Sequence, residues 1–310
     1  MHIILGGTGH VGSAVADALL AADEPVTIVS HDPAKAEAWK AKGARIAIAD
    51  VHDVDLLRFV FRSGRRAFLL NPPAAPRIDT DAEEKATVAA ILAAVEGSGL
   101  EKVVAESTYG AQPGERCGDL NTLWALERGL AGQSIPYAIN RGAYYFSNWA
   151  ANLDEARDEG VLRTMFDQDF ELPMVAPEDL GAHAAVLMND DRTGIFFVEG
   201  PRLYTPRDVA NAFAAALDRT VRVETIPRGQ WTPAFKAIGF SSPAAESYAR
   251  MTAATVDGPA IPDDPVRGAV RLEDYIAMGV PVHLYLHVKV NPKWEEDRSL
   301  YREIGLDWVE

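Results

Sequence analysis

The chain opens MHIILGGTGHVG over Met1–Gly12, and the reading of this stretch decides the fold. A short apolar run, Ile3-Ile4-Leu5, leads into Gly6-x-x-Gly9-x-x-Gly12, and an Ala/Leu-rich helical pattern follows from Val11 to Ala22. Strand, glycine turn and helix in that order form the setting in which three glycines hold the pyrophosphate of a dinucleotide. Gly6 lets the chain turn sharply out of the strand, Gly9 lets backbone approach phosphate without a Cβ, and Gly12 lets the helix pack close. The free N–H groups and the positive dipole end of the helix then face the anion. The turn therefore offers Gly6, Thr8, Gly9, His10, Val11 and Gly12 as cofactor contacts. The spacing is GxxGxxG, not the GxGxxG of the commoner dehydrogenases.

Working outward, strands and helices alternate with little slack. Strands are expected at Val26–Val29, Ala44–Ala49, Ala67–Leu70, Lys102–Ser107 and Ile135–Asn140. Between them the patterns read as helices from Pro33 to about Lys42, then Val54–Arg62, Thr80–Glu96 and Leu120–Ala131. Continuous apolar strands alternating with helices imply a parallel sheet covered on both faces, an α/β Rossmann-type doubly wound fold. Past Asn140 the rhythm changes: aromatics cluster at Tyr144, Tyr145, Phe146 and Trp149, and prolines recur. Helices are expected at Pro177–Met188, Pro206–Leu217, Gln230–Ile238 and Pro243–Thr255, strands at Ile195–Val198 and Val221–Ile226, and a linker at Val256–Gly268. The organisation implied is a nucleotide domain over 1–150, a smaller, interleaved substrate lobe over 151–275, and a strand–helix extension over 276–310.

At 310 residues the chain can bury roughly three quarters of its unfolded surface. A net charge of −15 and the lack of a Lys/Arg cluster exclude a nucleic-acid groove. No apolar run reaches membrane-spanning length, and no signal segment precedes the first strand. The single cysteine, Cys117, permits no intramolecular disulfide; a cytoplasmic setting is expected. The seven histidines are scattered without ligand spacing, so no metal is expected.

The chain resembles the NmrA-like group of atypical short-chain dehydrogenases/reductases over about residues 1–275. The resemblance is carried by GGTGHVG, IADVHD, FLLNPP, VVAESTYGA, WALERGL, INRGAYYFSNW, MVAPEDLGAHAA and FFVEGPRLYTPRDVANAFAAAL. It implies a Rossmann domain with a small substrate lobe, and a reductase of quinones or other small unsaturated or aromatic compounds. As the alternative to the favoured reductase, it admits a dinucleotide-binding regulator without turnover, acting through a protein partner. A homodimer fits either reading. The last stretch, Val280–Glu310, is instead similar to the terminal strand–helix of the KH domain in Era-type GTPases. It lacks a GXXG loop, so RNA binding does not follow.

Coenzyme choice is written after the second strand, where NAD enzymes place an acidic residue on the ribose hydroxyls. Here Ser30 is neutral, and His31 stands where the resemblance places Arg in NADP-using relatives. Ser30, His31 and Lys35 suit a 2′-phosphate, which favours NADP over NAD. Asp32 reads either as a ribose ligand or, with Pro33, as a helix cap. The resemblance implies an adenine contact at Asp50-Val51, with a turn residue as the rival reading of Asp50. Asn71-Pro72-Pro73 ends the fourth strand, at the carboxyl edge where ligands bind.

Ordinary short-chain dehydrogenases put a Ser at the end of the fifth strand and a Tyr-x-x-x-Lys on the next helix. Ser107 is present, but Asn121–Leu130 contains neither Tyr nor Lys. The literal YxxxK, Tyr285–Lys289, falls on an expected strand, where four residues span about 13 Å and cannot act together. Tyr109 and Tyr144 are the candidate proton sources, with Ser107 as an orienting donor. Gly142, Tyr145, Phe146, Asn148 and Trp149 are the candidate pocket for a flat substrate. Glu127 reads as a salt-bridge residue.

Overall fold

The computed structural model describes residues 1–258 and 261–279. The first half runs β1 (His2–Leu5), α1 (His10–Ala21), β2 (Val26–Ser30), α2 (Pro33–Ala41), β3 (Arg45–Ile48), α3 (Val54–Arg62) and β4 (Arg66–Leu69). It continues through α4 (Thr80–Val95), β5 (Lys102–Thr108), α5 (Asp119–Ala131) and β6 (Tyr137–Gly142). The second half adds β7 (Tyr144–Tyr145), a 3-10 turn (Phe146–Asn152), α6 (Leu153–Glu159), β8 (Val161–Thr164), β9 (Leu172–Val175), α7 (Pro177–Asn189) and β10 (Gly194–Glu199). Then come β11 (Leu203–Tyr204), α8 (Pro206–Leu217), β12 (Arg222–Thr225), α9 (Trp231–Ala237), α10 (Ser242–Asp257) and β13 (Val266–Arg267), with a further helix over 272–279.

Eight strands form one parallel sheet in the order β13-β10-β6-β5-β4-β1-β2-β3. The chain walks outward from β1 to β3 and returns to β4, so the strand order reverses between β1 and β4. That reversal opens a crevice at the carboxyl ends, where ligands of open α/β sheets bind. The strands are apolar on both faces because helices cover both: Ile4, Ile28, Phe68, Val104 and Ala138 pack toward α1 and α7. Ile3, Val29, Leu69, Val103, Ala105 and Ile139 pack toward α3, α4 and α5. This two-residue alternation sends Glu106 and Asn140 to the α1/α7 face and Ser107 and Arg141 to the α4/α5 face.

One pair of elements interleaves the two halves, and one stretch departs from the sequence reading. α7 and β10 leave the second half to join the main sheet, α7 so close to α1 that a Cβ on Gly181 would lie 2.4 Å from that of Ala14. Val256–Gly268, expected as a linker, contains the end of α10 and β13, which pairs with β10 through Val266 and Arg267. The end of α7 is tied down by buried Lys102, whose Nζ donates to the carbonyls of Leu187 (2.6 Å) and Asp190 (2.9 Å). The cation neutralises the negative end of the helix dipole.

The second lobe has its own core, centred on Phe146, Trp149, Leu162, Met174, Tyr204 and Phe213. It is built on two small sheets, β11-β9-β7 and β12-β8. The reading of Val280–Glu310, with Tyr285–Lys289, His283 and His287, lies outside the described residues.

Candidate nucleotide and active site

The glycine turn closes over the carboxyl end of β1 and delivers α1 with Gly9 as N-cap and no side-chain cap. Gly6 adopts φ +75° and packs on Leu70. A Cβ on Gly12 would fall 2.2 Å from the Gly6 carbonyl oxygen, so turn and helix are in direct backbone contact. Gly9, by contrast, is exposed, and a Cβ there would meet only the Gly6 oxygen at 3.5 Å. This is a cradle with an open outer side and unclaimed helix N–H groups, which fits a pyrophosphate. Thr8 is half-buried, His10 exposed and Val11 buried against the core.

At the adenosine side, Ser30 is buried and its Oγ receives the backbone N–H of Asp32 (3.1 Å). The Asp32 carboxylate caps α2, accepting from the N–H groups of Ala34 (2.9 Å) and Lys35 (3.4 Å). His31 and Lys35 are exposed, and among the described residues neither side chain pairs with a carboxylate. Asp50, which is exposed, accepts the N–H of His52 (2.9 Å) through Oδ1 in an Asx turn. Val51 packs against the α3/α4 core.

Asn71, Pro72 and Pro73 follow β4 at the carboxyl edge of the sheet. The Asn71 Oδ1 is buried without a partner among the described residues, so a donor group is missing there. The loop is held from below by Glu84, whose Oε1 accepts the Ala74 N–H at 3.2 Å. Burial, then the neighbouring Asp119 charge, push the Glu84 carboxyl up to about 7. Ser241, ahead of α10, binds the same loop through the Ile78 carbonyl at 2.6 Å.

The β5–β6 pair carries two different polar clusters, one per face. On the α4/α5 face, the fully buried Ser107 donates to Glu127 Oε1 at 2.5 Å. Glu127 is chelated by the Arg141 guanidinium through Nε (2.8 Å) and Nη2 (2.6 Å). The Ser107 hydroxyl is thus committed to a buried ion pair, and Glu127 is a salt-bridge residue.

On the α1/α7 face, Glu106 is 3% exposed and its partners are neutral. Asn140 Nδ2 donates to Glu106 Oε2 (2.7 Å), and the Tyr145 hydroxyl lies 3.2 Å from Oε1. Asn140 is oriented by donating also to the Leu180 carbonyl (3.3 Å) and by accepting from His183 Nδ1 (2.8 Å). Burial without a counter-charge pushes the Glu106 carboxyl up to about 8. Burial pushes His183 down to about 4, so its ring is neutral. A Cβ on Gly142 would meet Tyr145 Cε1 at 2.9 Å and Glu106 Oε1 at 3.1 Å, so only glycine lets the phenol fold over the carboxyl.

The other aromatic candidates separate. The Tyr109 hydroxyl donates to Glu199 Oε2 (3.1 Å), which is itself paired with Arg267. Burial and the Glu199 charge hold that phenol far above its ordinary value. Tyr144 faces the second-lobe core, edge-on to Phe166 at 5.6 Å and tilted against Trp149, and burial pushes it up to about 12. Phe146 and Trp149 are buried in that core, and Asn148 is exposed. Tyr145 turns the other way, against the core under α1 that includes Val11 and, at its margin, Leu70.

A family model describing the NmrA-like family matches residues 2–258. The chain belongs to the NmrA-like family. Among its relatives, the NAD(P)H azoreductase of Xenophilus azovorans is 22% identical over 255 residues, covering 82% of this chain and 86% of the relative. An NADPH-dependent quinone oxidoreductase of Escherichia coli, solved with NADPH, superposes with TM-score 0.76 at 19% identity, covering 92% of this chain and all of that one. The triphenylmethane reductase of Citrobacter sp. gives 0.75 at 16% identity, covering 90% and 99%. A separate 32-residue match, 62% identical to the GTPase Era of Erythrobacter litoralis, covers a tenth of each chain.

For this NmrA-like chain, the residues missed by sequence reasoning are Glu106, Asn140, His183 and Arg141. Glu106 did carry a signal: it is a carboxylate inside the otherwise buried strand KVVAEST.

Proposed function

We propose that the chain is a cytoplasmic NADPH-dependent reductase that transfers hydride to a small aromatic, quinone-like or enone acceptor. The observation that carries this reading is the open glycine cradle at the switch crevice, where α1 begins without a side-chain cap. Gly6, Thr8, Gly9, His10, Val11 and Gly12 would hold the pyrophosphate, with Asp50 and Val51 beside the adenine. Asn71-Pro72-Pro73 would face the nicotinamide half, and the unpartnered Asn71 Oδ1 suits a carboxamide donor. Exposed His31 and Lys35, with Asp32 committed to its cap, favour a 2′-phosphate and hence NADP over NAD. When bound, the reduced nicotinamide supplies the hydride, while the protein supplies orientation and a proton.

The names of the azoreductase and quinone oxidoreductase relatives support the acceptor class. The test is NADPH oxidation against a panel of quinones, enones and azo dyes. Turnover with at least one acceptor is expected; none above background refutes the reading.

A second reading has its own observation. With Ser107 committed to Glu127 and no Tyr or Lys on the facing helix, the usual carbonyl-reducing apparatus is not assembled among the described residues. A non-catalytic NADP(H) sensor would need no such apparatus. It predicts tight cofactor binding, no turnover, and a protein partner whose association changes with the NADPH/NADP ratio.

A further inference from the structure

We propose that Tyr145 and Glu106 are the proton-delivering pair of this site, the phenol passing its proton to the acceptor and being resupplied by the buried carboxyl. The inference rests on the reductase reading above and assigns the acid that reading lacks.

The hydrogen-bond pattern limits where a proton on a neutral Glu106 can sit. The Leu180 carbonyl, which can only accept, holds the Asn140 Nδ2 on its side, and Oδ1 then takes the hydrogen of the matching His183 Nδ1 tautomer. The Asn140 amide therefore donates to Glu106 Oε2, and a neutral Glu106 carries its hydrogen on Oε1, the oxygen facing Tyr145. With Glu106 neutral, that hydrogen can be given to the phenol oxygen across the 3.2 Å contact in place of the phenol's donation to Oε1, which frees the phenol's own hydrogen for a ligand.

The titratable groups around Glu106 are Tyr145 from β7 and, through Asn140, His183 from α7. Asp119, at the start of α5, adds negative charge on Tyr145. Among the described residues no cation sits on the carboxyl, and its acidity near 8 is that of an acid matched to neutral pH. The phenol, held far above its ordinary value by burial and by Glu106 and Asp119, is a poor terminal acid and a good relay. The carboxyl behind Tyr109, Glu199, is paired with Arg267, and Tyr144 packs against the rings of Phe166 and Trp149.

The step balances as follows. The reduced nicotinamide, when bound, would supply the hydride pair for the new bond at one end of the acceptor double bond, with the π pair moving to the other end. There a new O–H or N–H bond forms as the Tyr145 O–H breaks. The phenol oxygen takes the Oε1 hydrogen of Glu106 in the same motion, leaving a carboxylate, which one proton from water restores through Tyr145. Tyr145 touches the acceptor and is the catalytic residue; Glu106 acts through it, and Asn140 and His183 position it.

The test uses the full chain with the variants Glu106→Gln and Tyr145→Phe. Gln reproduces the pattern of the neutral acid, donating toward Tyr145 and accepting from Asn140, but releases no proton. Three readouts are taken: the infrared carbonyl band of a protonated carboxyl against pH without cofactor, the NADPH dissociation constant, and kcat against pH.

The spectrum of the wild type minus that of Glu106→Gln, which cancels the band of Glu84 and its raised neighbour Asp119, is expected to show a protonated-carboxyl band at pH 7 that fades around pH 8. Both variants should bind NADPH like the wild type and lose about 10²-fold or more in kcat. The wild-type fall in kcat above about pH 8 should vanish in Glu106→Gln. Turnover by the wild type with undiminished kcat in both variants overturns the pair alone, as does a carboxyl already ionised at pH 7. A wild type inactive toward every acceptor overturns the reductase reading, and the pair with it.

Discussion

The two faces of the β5–β6 pair place chemically identical carboxyl groups in opposite situations. Glu127 meets a guanidinium and a hydroxyl, and is a buried ion pair. Glu106, only a pleat away from Ser107, meets an amide and a phenol, and is an uncompensated acid. The backbone alternation alone decides which side chains each carboxyl can reach. One face of the strand end is spent on holding α5 to the sheet; the other is left with a proton to give.

Removing one partner from the ion-paired face should have the largest effect. Glu127→Gln strands the half-buried Arg141 guanidinium and is expected to cost about 3–5 kcal/mol, read from urea unfolding. Gly142→Ala comes next: its methyl would press on Tyr145, Leu180 and Glu106, for a loss of about 1–3 kcal/mol by the same measurement.

The neutral face should behave differently with pH. The Glu106 carboxyl is raised from the ordinary 4.5 to about 8, so the folded state holds a proton that the unfolded state has released. Its stability contribution is complete below the ordinary carboxyl value and is lost as pH rises through about 8. His183, pushed down to about 4, has the opposite sign between that value and its ordinary 6.5, which leaves the window above 6.5 for the carboxyl. There Glu106→Gln should gain on the wild type by up to about 1.4 kcal/mol per pH unit, levelling off above pH 8. A parallel pH dependence of the two proteins would show that the carboxyl is ionised in the fold. The smallest effect is expected at Asp32→Ala, about 1 kcal/mol, from loss of the α2 cap.

How much of this was legible in the sequence follows the range of each interaction. The glycine turn and the Asp32-Pro33 cap are local, and the structure forms both as read. The parallel sheet followed from apolar strands alternating with helices. β13 could not be read, because two residues have no periodicity and their partner strand lies more than sixty positions earlier. The site was half legible. Ser107 was placed at the strand end correctly, but its partner Arg141 lies on another strand, and nothing local announces the pair. Tyr144 and Tyr145 are adjacent, and the pattern around them did not say which would face the second-lobe core and which would cover Glu106. That choice is made by pairing of β7 with β9, a tertiary contact.

Both faces matter to function only if a reduced dinucleotide lies across the crevice above them. The direct measurement is a fluorescence titration of the full chain with NADPH and, separately, NADH. Saturable one-site binding with NADPH the tighter ligand is expected. Tighter NADH binding would contradict the reading of Ser30, His31 and Lys35, and binding of neither would contradict the account at its root.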